Sequence, residues 1–196
     1  MKIKNYPDQY KIPTTTKTGL EILIRPIRSE DTTLLSALFH TLSPKSIYLR
    51  FFMPVKAPSE EMLAKFTNVD HDRHVVLVAA QTSSAGEKIL GVFRLMCEPG
   101  SNEGELAIVV GDPWQGKGVG AKLLEHGVSV AKERGIHSIF GTVLAENTTV
   151  LALARKQGLT VKWDPDARSY RIGMDLDSMD LQEAMSSSKR RHSMPD

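Results

Sequence analysis

The sequence predicts an α/β (α+β) fold, in which helices flank a central, mixed but mostly antiparallel, twisted sheet of about seven strands. Short apolar or alternating runs separated by polar turns recur along the chain, which is typical of strands. Between them, apolar residues recur at helical spacing after residues that commonly begin helices. A chain of 196 residues is long enough for one domain with its own core.

The N-terminal half of the predicted domain is one strand followed by three helices. Residues 20–24 alternate apolar and polar side chains, which favours a strand. Ser29, Ser43 and Ser59 each precede apolar residues at helical spacing, and serine is a preferred N-cap. We therefore predict helices that begin at these three serines.

The C-terminal half alternates strands with two further helices. Three apolar runs joined by short polar turns predict an antiparallel meander. A long amphipathic helix, a strand, a helix capped by Asn147 and a closing hairpin should follow. The predicted strands are 74–80, 89–96, 105–110, 139–144, 161–163 and 170–174, and the predicted helices are 119–134 and 147–157.

Composition predicts a single soluble domain. We expect an extended leader at 1–18, the domain at 19–176 and a flexible polar tail at 177–196. The net charge of +2 is too small to indicate nucleic-acid binding, and no apolar run approaches the ~20 residues of a membrane span. A lone cysteine excludes an internal disulfide and fits a reducing compartment, so we expect a cytoplasmic protein with no nucleic-acid or membrane partner.

A glycine-rich turn joins the strand ending at Val110 to the long helix. The first amides of a helix have no internal acceptor and lie at the positive end of its dipole, so they favour an anion such as a diphosphate. Gly116, Gly118 and Gly120 carry no side chains that would hold phosphate oxygens away. The spacing is neither that of a P-loop nor that of a Rossmann fingerprint, and a tight strand–helix turn is the alternative interpretation.

This segment resembles a known signature. Residues 115–120, Gln-Gly-Lys-Gly-Val-Gly after the run at 107–110, are similar to the Gln/Arg-x-x-Gly-x-Gly/Ala signature of the GNAT superfamily of N-acetyltransferases. The order of elements over 20–175 and the block beginning at Asn147 also resemble that superfamily. Segments 24–31, 42–52 and 70–73 resemble the GNAT domain of bacterial Pat-type protein lysine acetyltransferases.

The resemblance implies that acetyl-CoA is the co-substrate. The main chain of the strand before the turn should pair with the pantetheine arm, and the amides of the turn should hold the pyrophosphate. Asn147 should contact the cofactor arm, or serve only as a helix cap; Lys117 should add charge near the phosphates, or remain a solvated surface residue. The expected cofactor-binding residues are Ile108, Val109, Val110, Gln115, Gly116, Lys117, Gly118, Val119, Gly120, Ala121 and Asn147.

Catalysis of amine acetylation requires a base, because a protonated amine has no lone pair. The resemblance points to Glu105 as the catalytic residue, with Glu103 as the competing carboxylate. An amide near Val109 or Val110 should stabilise the oxyanion. Many superfamily members place a tyrosine where this chain has Ala154, and that tyrosine protonates the departing thiolate. In this chain CoA would leave as the thiolate, or Tyr170 or water would supply the proton.

The acceptor is expected to be a primary amine, and the Pat resemblance favours a protein lysine, such as one on an acyl-CoA synthetase. A small-molecule amine (polyamine, amino acid or aminoglycoside) and a non-catalytic CoA-binding sensor are the alternatives. No metal is expected, since His71 and His74 lack a cysteine or carboxylate partner set. The oligomeric state is left open.

Overall fold

The predicted sheet is present and has eight strands. The computed structural model describes residues 6–177. The strand order is β1-β2-β3-β4-β5-β6-β8-β7, and every neighbouring pair is antiparallel except β5 with β6. The strands are β1 (Ile12–Thr15), β2 (Glu21–Pro26), β3 (His74–Ser83), β4 (Gly86–Cys97), β5 (Glu103–Val110), β6 (Ser138–Leu144), β7 (Thr160–Asp164) and β8 (Ser169–Asp175). The fold class is confirmed, and the expected number of strands was one too few.

The additional strand is β1, which lies within the segment treated as a leader. It pairs with β2 from Ile12 opposite Ile24 to Thr15 opposite Glu21. A short threonine-rich run containing Pro13 does not predict a strand, because proline donates no ladder hydrogen bond. An edge strand tolerates it, since only one side of β1 is paired. The predicted tail, apart from its first residue, lies outside the described residues.

Five α-helices flank the sheet within residues 6–177, and three of their predicted N-caps are confirmed. The Ser43, Ser59 and Asn147 side chains accept hydrogen bonds from amides three residues later, at 3.2, 3.1 and 3.2 Å. These bonds satisfy amides that the helix itself cannot. The helices are α1 (Thr32–Phe39), α2 (Pro44–Phe51), α3 (Glu60–Thr67), α4 (Val119–Glu133) and α5 (Thr148–Lys156).

The prediction that Ser29 begins the first helix was wrong. Residues 29–31 form a short 3-10 turn, and α1 begins at Thr32. The Asp31 carboxylate accepts a hydrogen bond from the Arg28 amide at 2.8 Å, which closes a capping box around this 3-10 turn. The same carboxylate accepts hydrogen bonds from both terminal nitrogens of the buried Arg25 guanidinium, at 2.6 and 2.8 Å. This pair is a tertiary contact that local sequence does not reveal.

Two apolar cores form on opposite faces of the sheet. Side chains alternate along a strand, so Leu106, Ile108 and Val110 of β5 pack on the face covered by α4 and α5, while Val109 packs on the face covered by α1 and α3. Helix α4 comes close to the sheet at Gly127, where an added Cβ would lie 2.4 Å from the Phe93 ring. This contact fixes where the N-terminus of α4 lies relative to β5.

The parallel pairing of β5 and β6 is short. It covers only Glu103–Glu105 opposite Ser138–Phe140, although β5 continues to Val110 and β6 to Leu144. Beyond Glu105 the two strands therefore diverge and leave an opening in the middle of the sheet, which we call the cleft. Within residues 6–177, no helix is long and apolar enough to cross a membrane.

Candidate active site

The cleft holds two adjoining cavities of about 290 and 250 Å³. The first, here the outer cavity, lies between the N-terminus of α2, the end of β5 and the N-terminus of α5, and is lined by Ser46, Val110 and Gln115 among others. The second, the inner cavity, is lined by Glu105, Phe52 and Thr142 among others. Five residues line both cavities and so make the cleft continuous: Leu49, Arg50, Ile108, Asn147 and Val150.

Unpaired amides surround the start of α4, beside the outer cavity. The backbone turns through Gly116 and Gly118 at φ +72° and +86°, conformations that favour glycine. The first intrahelical bond runs from the Lys122 amide to the Gly118 carbonyl at 3.1 Å. Among residues 6–177, the amides of Gly118, Val119, Gly120 and Ala121 have no acceptor. This group of donors at a helix N-terminus, which we call the cradle, is suited to bind an anion.

The turn that follows β1 braces the cradle. The Thr18 hydroxyl donates a 3.0 Å hydrogen bond to the Lys117 carbonyl, and it also lies 3.0 Å from the Thr16 hydroxyl. A Cβ added at Gly118 would come within 3.2 Å of the Thr16 Cβ. The N-terminal strand and its turn therefore support the glycine loop from behind, which sequence analysis did not anticipate.

The edge of β5 presents alternate backbone groups to the cleft. The Val110 carbonyl faces the cleft side, where it accepts the Gln115 side-chain amide at 3.0 Å, and the Leu106 carbonyl lies against Gly141 of β6. The Val109 carbonyl instead lies against Gly91 of β4. Because these groups alternate along a strand, the Ile108 and Val110 amides face the cleft and the Val109 amide faces β4.

Two predicted binding residues hold the local backbone. The Gln115 side-chain amide donates to the Val110 carbonyl and the Asp112 carboxylate, both at 3.0 Å, so it ties the glycine loop to β5. Asn147 caps α5 and lines both cavities, so a cap and a contact residue are compatible at this position. The Lys117 side chain is exposed beside the cradle.

The two candidate carboxylates occupy different surroundings. Glu105 lines the inner cavity at the last residue where β5 and β6 pair, and its side chain is exposed. Glu103 accepts hydrogen bonds from Arg171 at 3.2 Å and from the Ser138 hydroxyl at 3.4 Å. Only Glu105 is therefore placed to act on a group bound in the inner cavity.

Two arginines line the space beside the inner cavity, Arg50 in the last turn of α2 and Arg94 on β4. Burial lowers the pKa of Arg50, although the nearby Glu105 carboxylate raises it in part. Burial and the charge of Arg50 lower the pKa of Arg94 to about 10. An arginine side chain carries a positive charge at neutral pH. Both arginines line one cavity because α2 packs against β5, the strand next to β4, and no local pattern encodes this contact.

Ala154, Tyr170 and His71, which the sequence also brought into question, do not line the outer or inner cavity. Ala154 is buried in the core, and Tyr170 packs against Trp163 with ring centroids 5.1 Å apart. His71 is buried, its ring meets Tyr6 edge-on, and its carbonyl accepts a hydrogen bond from Arg134. Within the part of the chain that the structure describes, no three His, Cys, Asp or Glu side chains gather as a metal site.

Comparison with known proteins identifies the family to which this site belongs. Residues 43–159, which include the cleft-facing part of β5, the cradle and Asn147, match the model of the Acetyltransferase (GNAT) family. The chain belongs to the GNAT family of acetyltransferases. Acetyltransferase PA5475 of Pseudomonas aeruginosa is a relative at 29% identity over 150 residues, covering 76% of this chain and 80% of that protein.

Solved structures show the same GNAT architecture. The GNAT domain of S. lividans PAT has a TM-score of 0.80 and 28% identity, and the match covers 87% of this chain and 99% of that one. The PaiA N-acetyltransferase of Thermoplasma acidophilum, solved in complex with coenzyme A, has a TM-score of 0.64 at 18% identity over 80% of this chain and 99% of that one. The open eight-stranded sheet and its cleft are thus a GNAT fold.

Proposed function

We propose that this protein transfers the acetyl group of acetyl-CoA directly to a primary amine, with a protein lysine as the acceptor. The observation that carries the proposal is the meeting of three features in one cleft: the unpaired amides of the cradle, the open edge of β5 and the Glu105 carboxylate. The GNAT-fold structure of PaiA with bound coenzyme A supports the choice of donor.

The cradle and β5 would hold the two ends of the CoA arm. The diphosphate would accept hydrogen bonds from the Gly118–Ala121 amides at the positive end of α4, with Lys117 contributing charge. The pantetheine amides would pair with the cleft-facing groups of Ile108 and Val110, as an added strand does. The thioester then lies toward Glu105, where β5 and β6 come together.

Glu105 would accept the proton of the acceptor ammonium, directly or through one water molecule. The neutral amine attacks the thioester carbonyl, and an amide facing the cleft, that of Ile108 or Val110, donates to the oxyanion. Collapse of the tetrahedral intermediate breaks the C–S bond and releases CoA thiolate, and the excess proton on the acceptor nitrogen passes to water or to that thiolate. A thiol of pKa about 8.5 can leave in this form, so no side-chain acid is needed at the buried Ala154.

Two observations favour a protein acceptor over a small amine. The GNAT domain of S. lividans PAT is similar over nearly the full described fold. In addition, apolar side chains are exposed on and after α2, beside the inner cavity: Tyr48 at 45%, Phe52 at 43% and Met53 at 59%. Exposed apolar clusters of this kind are typical of protein-binding surfaces.

The test is to incubate the purified protein with radiolabelled acetyl-CoA and three classes of acceptor: an acyl-CoA synthetase, lysine peptides and polyamines. We expect label on protein lysine, and its loss in Glu105→Gln. Label on polyamines alone would establish the small-amine alternative. CoA binding by calorimetry without label on any acceptor would establish a CoA sensor and overturn the proposal.

A further inference from the structure

A third cavity, of about 50 Å³, lies beside the cleft under α1, α2 and α3, and two arginines line it. Every other lining residue is apolar. Arg50, in the last turn of α2, also lines the outer and inner cavities, so it stands where this cavity joins the cleft. We call this space the arginine cavity.

The sheet register places Arg94 on the same face as Glu105. Arg94 of β4 is opposite Ala107 of β5, and Met96 is opposite Glu105. Since side chains two residues apart on a strand share a face, Arg94 and Glu105 point to the same side of the sheet. The face of the sheet that carries Glu105 therefore also carries Arg94, and Arg50 of α2, on which the Glu105 charge acts, lines the same cavity as Arg94.

Neither arginine has an anionic partner in contact. Among residues 6–177, Arg50 and Arg94 form no ion pair within 4.0 Å and donate no side-chain hydrogen bond. Arg94 instead stacks on Phe66, with Cζ 4.6 Å from the ring centre, and Arg50 stacks on Phe51 at 5.1 Å. Arg25 differs from these two arginines, because it is fully buried and forms ion pairs with the carboxylates of Asp31 and Glu87.

The arginine cavity is lined by two positive charges and by no acidic residue, which favours the binding of an anion there. Burying a cation without a partner is unfavourable, and it is this burial, with the charge of Arg50, that lowers the pKa of Arg94 to about 10. Glu105 is the acidic group that acts on Arg50, and in the proposed reaction it is engaged by the acceptor ammonium. A planar monoanion matches the guanidinium fork and suits a small apolar space better than a dianionic phosphate does.

We propose that Arg50 and Arg94 bind a carboxylate carried by the acceptor, close to its reacting amine. This inference rests on the proposed function, because it names the acceptor class of the same site. The acceptor's ammonium would meet Glu105 while its carboxylate meets the arginine cavity. Such a carboxylate comes either from an acidic residue next to the acceptor lysine or from the α-carboxylate of a free amino acid.

The test compares acceptors that differ only in the carboxylate. One arm uses lysine peptides with glutamate or glutamine beside the lysine, and the other uses free lysine against cadaverine, which lacks the carboxylate. With acetyl-CoA saturating, we expect kcat/KM to be about 10- to 100-fold higher for the carboxylate member of at least one pair, as for a charge-assisted hydrogen bond. The arm that shows the preference identifies the source of the carboxylate.

Variants assign that preference to the arginines. Arg94→Gln should bring the ratio of kcat/KM between the two members of the pair close to 1, and Arg94→Lys should retain part of the preference. The ratio is measured within one preparation, so partial misfolding does not change it. Arg73→Gln, which removes the charge of an exposed arginine, is the control and should keep the full ratio.

Three results would overturn the inference. Equal kcat/KM for both members of each pair would show that no carboxylate is recognised. An undiminished preference in both Arg94→Gln and Arg50→Gln would place the recognition elsewhere. An Arg94-dependent preference for succinyl-CoA over acetyl-CoA, with no acceptor preference, would assign the subsite to the donor. If the proposed function itself fails, the neutral acceptors are not acetylated either, and the two failures are thereby distinguished.

Discussion

Replacing Glu105 with glutamine tests the proposed base, because it removes the carboxylate and keeps a side chain of similar size. General bases contribute about 10²- to 10⁴-fold to the rate. Glu105 is exposed at the edge of the inner cavity, so water can reach the acceptor ammonium and take over part of the proton removal. We therefore expect Glu105→Gln to lower kcat/KM at pH 7.5 by about 100-fold, or ~2.7 kcal/mol in the barrier, the low end of the range.

The dependence of this defect on pH is the decisive part. A lysine amine of pKa about 10.4 is about 0.1% neutral at pH 7.5 and about 10% neutral at pH 9.5. A variant that reacts only with the neutral amine should gain about 100-fold in kcat/KM over these two pH units. The wild type, which deprotonates the bound ammonium, should gain less. The defect should therefore shrink to a few-fold at pH 9.5.

The assay follows release of the CoA thiol at pH 7.5, 8.5 and 9.5 with a lysine peptide and saturating acetyl-CoA. Glu103→Gln discriminates between the two carboxylates, because Glu103 is held by Arg171 and Ser138 instead of facing the inner cavity. An equal defect at every pH would refute the assignment of Glu105 as base. A loss of activity in Glu103→Gln, with activity retained in Glu105→Gln, would also refute it.

Three further predictions concern binding and stability. Gly118→Val should weaken CoA binding by at least about tenfold in calorimetry, because valine at φ +86° is strained and crowds Thr16. Gly86→Ala, a substitution at φ +106° in an open turn between β3 and β4, should leave CoA binding unchanged. Asp31→Asn should lower the free energy of unfolding in urea by about 3 kcal/mol, because a buried arginine loses one of two carboxylates. His71 is buried and its pKa is lowered, chiefly by desolvation, so the unfolded chain binds its proton more readily and stability should fall as the pH drops below about 6.5.

Each of these has a control and a contrary outcome. Lys65→Gln, which breaks an exposed pair, should change the unfolding free energy by less than about 0.5 kcal/mol; a loss as large as that of Asp31→Asn would contradict the argument from burial. His71→Asn tolerates φ +56° and does not titrate. If its urea midpoint falls between pH 7.5 and 5.5 as much as that of the wild type, His71 is not the group responsible. CoA affinity unchanged in Gly118→Val would argue against the cradle.

Features that depend on near neighbours in the chain could be predicted from the sequence. The caps at Ser43, Ser59 and Asn147 are each made by a side chain and an amide three residues away, so the local pattern suffices. The strand–glycine–helix order of the cradle is likewise contiguous, and the helix start at Val119 follows directly from it. The sheet class followed from the spacing of the apolar runs.

Features that depend on distant partners could not be predicted. Ser29 lies in a 3-10 turn instead of capping a helix, and the Asp31 carboxylate of that turn is bound by Arg25 from β2. The choice between Glu103 and Glu105 depends on Arg171, which is 68 residues from Glu103. Arg50 and Arg94 line one cavity because α2 packs against β5, the strand next to β4, and that packing joins parts of the chain that are far apart in sequence.

The hydrogen bond from Thr18 to the Lys117 carbonyl connects the cradle to the turn after β1, a short strand at the edge of the sheet. Strand β1 is four residues long and is held on one side only, so its local opening should require far less free energy than global unfolding. Each opening would release the brace behind Gly118, and the donors at the start of α4 would lose some of their preorganisation. Amide hydrogen exchange in residues 12–15 should therefore slow when CoA binds some 100 residues further along the chain.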